Sequence, residues 1–287
     1  MGEHESVEDK YKAINFVASI APDAEAARQK LVDRYGDVPY EQADVIVALG
    51  GDGTMLQTLH RTISAPKPVF GMNRGSLGFL MNDYSERGLR ARLATAQPSI
   101  IHPLLMRARD VRGEEATARA INEVSLWRQK YQAAKIAILV DGKARLPELI
   151  ADGALVATPA GSTAYNLSAN GPILPWGSRL MALTPICAFR PRRWRGALLP
   201  DRAKVAFEML ETDKRPVAAA ADHIEIRDVV RVDVETDYAT SLILLHDAGH
   251  PFDERTLREQ FASETAERRG GSQIGAESDG EERARGR

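Results

Sequence analysis

An aspartate stands inside a run of glycines: Leu49-Gly50-Gly51-Asp52-Gly53-Thr54. Glycine amides have no β-carbon between themselves and a ligand. Several of them ahead of a helix make a nest for phosphate oxygens. Gly50, Gly51, Gly53 and Thr54 therefore form a candidate phosphate-donor turn, although the string is neither a Walker loop nor Gly-x-Gly-x-x-Gly. The charged member is the informative one. A carboxylate repels phosphate, so Asp52 fits the role of base for an attacking hydroxyl, or of orienter for that hydroxyl or a bound cation. An Asp that merely caps the following helix is the competing reading. A second glycine bend, Asn73-Arg74-Gly75-Ser76-Leu77-Gly78-Phe79-Leu80, offers Phe79 as an apolar wall for a base and Arg74 as a phosphate partner. Core packing for Phe79 and a surface position for Arg74 are the plain alternatives.

Two more places carry polar groups in apolar surroundings. Asn122-Glu123 lies within AINEVSLW, where a strand's alternation cannot turn both neighbours to solvent. An edge strand or a bulge would also account for the pair. Asp152-Gly153 precedes ALVATPAGSTAYNLSANGPIL, which packs Thr158, Ser162, Thr163, Tyr165, Asn166 and Ser168 together. That stretch is too polar for a core and too apolar for a linker. It suits a loop and helix start that present hydroxyls, amides and one ring to a nucleoside. A helix capped at Ser162 or Thr163 is the bland equivalent.

The elements that must position these groups change character along the chain. Val45 to Leu49 are apolar without alternation, as in a parallel strand covered on both faces. PVFGMN (68–73) repeats that character, and PDAEAARQKLVDRYG reads as a helix begun by Pro22 and Asp23 and ended by Gly36. Strand and helix alternate here, which predicts an α/β domain with a parallel sheet over 12–102. From 103 to 240 strand-length pieces such as TARAINEVSLWR, ELIADGALVATPA and HIEIRDVVRVDVE follow one another, predicting a β-rich domain. Residues 1–11 read as a flexible leader and 241–263 as a closing segment with a helix from Asp253. Residues 264–287 carry Ile274 as their one large aliphatic, too little to offset ordering entropy, and read as disordered.

Of the 287 residues 44% are hydrophobic and 27% charged, which excludes collagenous and wholly disordered classes. The formal net charge of −2 offers no global field for nucleic acid, so RPRRWRG (190–196), with its arginines from Arg190 to Arg195, reads as a solvated loop or subunit contact. No apolar run approaches membrane-span length. Cys187 is the single cysteine, which excludes an internal disulfide and fits a reducing cytoplasm. His60, His102, His223, His246 and His250 are too scattered for a metal cage and read as structural or surface residues.

Taken together, GGDGTML (50–56), NRGSLGFL (73–80), NE (122–123), DG (152–153) and TPAGSTAYNLSANGPI (158–173) resemble the NAD kinase family in order and interval. The resemblance spans roughly 12–263 and is nearest to alphaproteobacterial forms, notably in FRPRRWRGALLP (189–200). GGDGT alone is shared with lipid, sphingosine and phosphofructokinase-type enzymes; the long 158–173 string is specific. The resemblance implies phosphorylation of the adenosine 2′-hydroxyl of NAD by ATP or polyphosphate, giving NADP. It implies an α/β domain, a β-sandwich domain and a C-terminal segment that returns to the first, with the site between them and a homodimer or homotetramer as the assembly. Asp52 becomes the proton acceptor, with Gly53 beside it. Asn122 and Glu123 hold the adenosine-ribose side, while Phe79, Thr163, Ala164, Tyr165, Asn166, Leu167 and Ser168 line the NAD pocket. Asp152 reaches toward the nicotinamide, and Asp222 matches an aspartate near the site. A divalent cation, Mg²⁺, is expected to arrive with the nucleotide, since no dense carboxylate cluster marks a protein-built cage. Two positions depart from the family: Ile150 stands where many members carry arginine, and Ala160 where the family has threonine.

Overall fold

The computed structural model describes residues 10–75 and 78–249. The chain opens with β1 (Ile14–Ala18), α1 (Pro22–Tyr35), β2 (Val45–Gly50), α2 (Asp52–Thr62), β3 (Val69–Asn73), α3 (Leu89–Thr95) and β4 (Gln97–Ile101). Pro22 starts α1 with Asp23 and Glu25 in its first turn, and Gly36 ends it at φ 79° with its N–H on the Val32 carbonyl. Ala24, Ala27 and Leu31 fall on one face and are fully covered. Burying Leu31 alone contributes about 2 kcal/mol.

The second half supplies β5 (Leu104–Asp110), β6 (Glu115–Ala120), β7 (Glu123–Arg128), β8 (Ala134–Val140), β9 (Lys143–Ala151) and β10 (Gly153–Ala157). A short helix α4 (Tyr165–Ser168) follows, then β11 (Leu180–Ile186), β12 (Ala197–Pro200), β13 (Val205–Met209), β14 (Val217–Ala221), β15 (Ile224–Ile226) and β16 (Val229–Thr236). Last comes β17 (Leu242–His246).

Three sheets result. The first has the order β1-β2-β3-β17-β4. Its first four strands are parallel, but β4 runs antiparallel to β17, so the sheet is mixed where the alternation pattern predicts a parallel one. The reason is connectivity: β17 enters from the sandwich and pairs with β3 through Leu244 and Val69, and β4 then takes its other edge. β2 lies second from the edge with all six residues buried. Gly50 of β2 pairs with Asn73 of β3, so the two glycine bends leave the same carboxyl edge side by side, where ligands of such sheets bind.

The other two sheets, β12-β11-β10-β7-β14-β15 and β6-β5-β16-β13-β8-β9, are antiparallel throughout and share one core. Leu126, Val156, Leu183 and Ala219 from one face Met106, Ile138, Phe207 and Val232 from the other within it. The pieces TARAINEVSLWR and ELIADGALVATPA read as single strands, yet each is two. The chain leaves one sheet at Ala120 and enters the other at Glu123, and it does so again between Ala151 and Gly153. Asn122 and Asp152 thus mark crossings between sheets, not an edge or a bulge. The leader to residue 9, the closing helix expected from Asp253 and the tail lie outside the described residues. No helix among the described residues is long and apolar enough to cross a membrane.

Candidate active site

Asp52 opens α2. Gly51 holds the cap position without any side-chain cap, and its carbonyl accepts the N–H groups of Thr54 and Met55. The carboxylate of Asp52 does something other than cap: Oδ2 accepts from the Phe79 amide at 2.8 Å and Oδ1 from the Leu80 amide at 2.9 Å. The two bends are thereby tied through this one side chain. The Arg74 N–H adds a second tie, donating to the Gly50 carbonyl at 2.7 Å. A β-carbon at Gly50 would run into the Thr54 side chain, so this junction tolerates only glycine.

A cavity of about 240 Å³ lies against this junction, lined by Asp52, Gly53, Leu56, Phe79, Leu80, Asn122, Ala160, Thr163 and Ala164. Six of those are residues singled out from the sequence. They come from four separated stretches and from both halves of the molecule. Leu56, Leu80 and Ala160 went unpredicted. Leu56 was legible as the residue one helical turn beyond Asp52, and Leu80 as the neighbour of Phe79.

Several singled-out groups do other work. The Thr158 hydroxyl donates to the Ile121 carbonyl at 2.7 Å, and that of Ser162 to the Pro159 carbonyl at 2.8 Å. Asn166 is fully buried: its amide donates to the Ser162 and Pro172 carbonyls and its Oδ1 accepts from Thr184. Asn166 is therefore a strut beside the residues that line the cavity. Leu167 and Ser168 also fall outside the lining. Within the 158–173 string Thr158 pins the loop to the 121–122 crossing, while Ser162 and Asn166 brace the loop internally and against β11. Arg74 stacks on the Tyr84 ring at 4.6 Å and does not line the cavity.

Tyr165 is 38% exposed, and burial, then the charges of Cys187, Glu123 and Asp152, push its hydroxyl above its ordinary value. Asp152 pairs with Arg128 at 2.6 Å. Ile150, beside it, bridges to Arg190 through the backbone, so the arginine-rich loop begins next to the position where the family arginine is missing.

Glu123 is the electrostatic outlier. Its Oε2 is buried without a partner, as is Asn122 Oδ1 next to it. Burial first and then the charge of Asp222 push its carboxyl from 4.5 up to about 7. At neutral pH it holds a proton for part of the time and can donate to a sugar oxygen. The folded chain keeps this proton between about pH 4.5 and 7, where the unfolded chain has lost it. Stability therefore falls as pH rises through that window, by roughly 3 kcal/mol at most. Glu123→Gln removes that slope. Thermal melts of both proteins from pH 5 to 8 should converge at the acid end and separate, with the variant more stable, at the alkaline end.

A glycine bend at the start of a helix, a carboxylate tied into it and a cavity walled by both halves of the chain suit a phosphotransferase directed at a nucleotide hydroxyl. The ATP-NAD kinase N-terminal domain matches residues 2–91 and the ATP-NAD kinase C-terminal domain residues 121–241. The NAD kinase of Caulobacter vibrioides is 59% identical over 248 residues, covering 86% of this chain and 95% of that protein. That of Rhizobium meliloti is 56% identical over 254 residues, covering 88% and 99%. Among solved structures, yeast NADH kinase complexed with NADH superposes with a TM-score of 0.77 at 20% identity, covering 92% of this chain and 93% of that one. The NAD kinase from Archaeoglobus fulgidus in complex with ATP gives 0.69 at 22%, covering 87% and 97%. The chain belongs to the NAD kinase family.

Proposed function

We propose that this protein phosphorylates NAD to NADP, moving the terminal phosphoryl group of ATP to the 2′-hydroxyl of the adenosine ribose, with Asp52 as the proton acceptor. The observation that carries the reading is the single cavity in which Asp52 and Gly53 meet Phe79, Asn122, Thr163 and Ala164. Phosphoryl transfer asks the protein for position and charge neutralisation more than for covalent chemistry. Asp52, oriented by the Phe79 and Leu80 amides, accepts the hydroxyl's proton as the new oxygen–phosphorus bond forms and the bond to the ATP leaving group breaks. The Gly50-Gly51-Asp52-Gly53 backbone and the start of α2 receive the donor phosphates. Asn122 and Glu123 orient the ribose. Phe79, Thr163, Ala164 and Tyr165 enclose the adenine, and Asp152 extends toward the nicotinamide end.

No group of three or more His, Cys, Asp or Glu residues gathers into a metal site among the described residues. The donors present suit a divalent cation such as Mg²⁺ that stays on the nucleotide's phosphates and supplies charge neutralisation there. Polyphosphate is the alternative donor, and a homodimer or homotetramer the proposed assembly.

Purified protein given NAD, ATP and Mg²⁺, with product read by an NADP-specific dehydrogenase, should form NADP only when both nucleotides are present. NAD binding without any ATP- or polyphosphate-dependent NADP would instead define a dinucleotide sensor and end this reading.

A further inference from the structure

α2 carries Asp52 at its start and His60 two turns later, about 12 Å further along the axis. His60 Nε2 lies 2.7 Å from Asp222 Oδ2, and the two side chains are only 12% and 1% exposed. An ionised carboxylate accepts and cannot donate, so Nε2 carries the hydrogen. Asp222 sits in the turn between β14 and β15 at φ 50°, and its carboxylate collects three consecutive amides of the 121–123 crossing. Oδ2 accepts from Ile121 N–H at 2.7 Å, and Oδ1 from Asn122 N–H at 3.0 Å and Glu123 N–H at 3.2 Å. The Asp222 N–H returns a bond to the Glu123 carbonyl at 3.1 Å. His223 stands edge-on to His60, with ring centroids 4.7 Å apart, and limits its rotation.

We infer that His60 is a positioning residue for phosphoryl transfer, acting through Asp222 to hold the helix that bears Asp52 in register with the crossing that bears Asn122 and Glu123. The inference rests on the kinase reading above. Helix α2 packs on the first sheet, whereas the crossing belongs to the sandwich, so the His60–Asp222 bond joins the two halves of the site directly. Three amides on one carboxylate fix the crossing against sliding, and the imidazole fixes that carboxylate to α2. A buried carboxylate that loses a donor must shift or find another. Any shift moves the ribose-holding groups relative to the base, and a displacement of about 1 Å at a reacting centre costs on the order of a hundredfold in rate.

The test is steady-state kinetics on His60→Leu, His60→Gln and Asp222→Asn, with each fold checked by circular dichroism and melting temperature. His60→Leu should lower kcat by about tenfold to a hundredfold while KM for ATP stays within about twofold. His60→Gln, whose amide can still donate to Asp222, should recover most of that loss. Asp222→Asn loosens the same crossing from its other end and should also lower kcat, so the inference stays testable if the leucine variant does not fold. A role in packing alone would lower the melting temperature and leave kcat per folded molecule unchanged, with glutamine no better than leucine. That pattern would overturn the inference while wild-type turnover leaves the kinase reading intact. A wild-type protein that makes no NADP would remove the reading and this inference with it.

Discussion

Asp52→Asn should abolish most NADP formation while the protein still folds and binds NAD. General-base catalysis contributes about 10² to 10⁴ in rate, or ~3–5 kcal/mol of barrier, and the amide has no basic oxygen to take the hydroxyl proton. The substitution is nearly isosteric, but it is not silent locally. The native carboxylate accepts from both the Phe79 and Leu80 amides, whereas an asparagine presents one acceptor and one donor to them. One amide loses its partner, costing about 1–2 kcal/mol of stability. Three measurements separate these effects: turnover in the coupled assay, NAD affinity by calorimetry and the melting temperature. Turnover close to wild type would take Asp52 out of the mechanism, whatever the other two readings gave.

Gly161→Ala should damage folding and substrate binding together. A β-carbon at Gly161 would fall on the carbonyl oxygen, carbonyl carbon and Cα of Asn122. These are backbone atoms and cannot rotate away, so either the 158–164 loop or the 121–123 crossing must move. The loop is already fastened to that crossing: Gly161 N–H donates to the Thr158 hydroxyl, which donates to the Ile121 carbonyl. A cost of about 3 kcal/mol is expected, lowering the melting temperature by roughly 10 °C in a chain of this size. NAD affinity should fall as well, because Asn122 and Thr163 line one cavity. Gly53→Ala is the informative contrast. Nothing lies within 4 Å of a β-carbon built there, so its melting temperature should hold and any loss of turnover would come from the pocket itself. A Gly161→Ala protein that melts and binds like wild type would refute the packing argument.

The distinction between these two glycines shows what local pattern can and cannot disclose. Val45–Leu49 was legible as a doubly covered strand because burial on both faces removes alternation, and the glycines after it mark a bend through their own backbone freedom. Pro22 and Gly36 delimit α1 for equally local reasons. The string 158–173 was specific enough to point to the family, yet the directions of its side chains were not legible. Thr158, Ser162 and Asn166 turn inward because carbonyls of the 121–122 crossing, the loop itself and a hydroxyl of β11 pass within hydrogen-bond reach. Thr163 and Ala164 face the cavity instead. Nothing in the run of residue types distinguishes these fates.

Glu123 and His60 are the sharper cases. A glutamate between apolar neighbours signals some exception, but not which one. Its raised proton affinity comes from burial first and then from Asp222, 99 residues further on, and both arise through the packing of β14 beside β7. His60 read as structural or surface because its partner lies 162 residues away in the other half of the molecule. Residue types and short spacings determined the strands, the bends, the base candidate and the kinship, since each follows from backbone preference and burial within a few neighbours. Only the tertiary structure decided which polar atoms meet: a hydrogen bond requires contact within about 3 Å, and contact between distant segments is set by how sheets and helices pack.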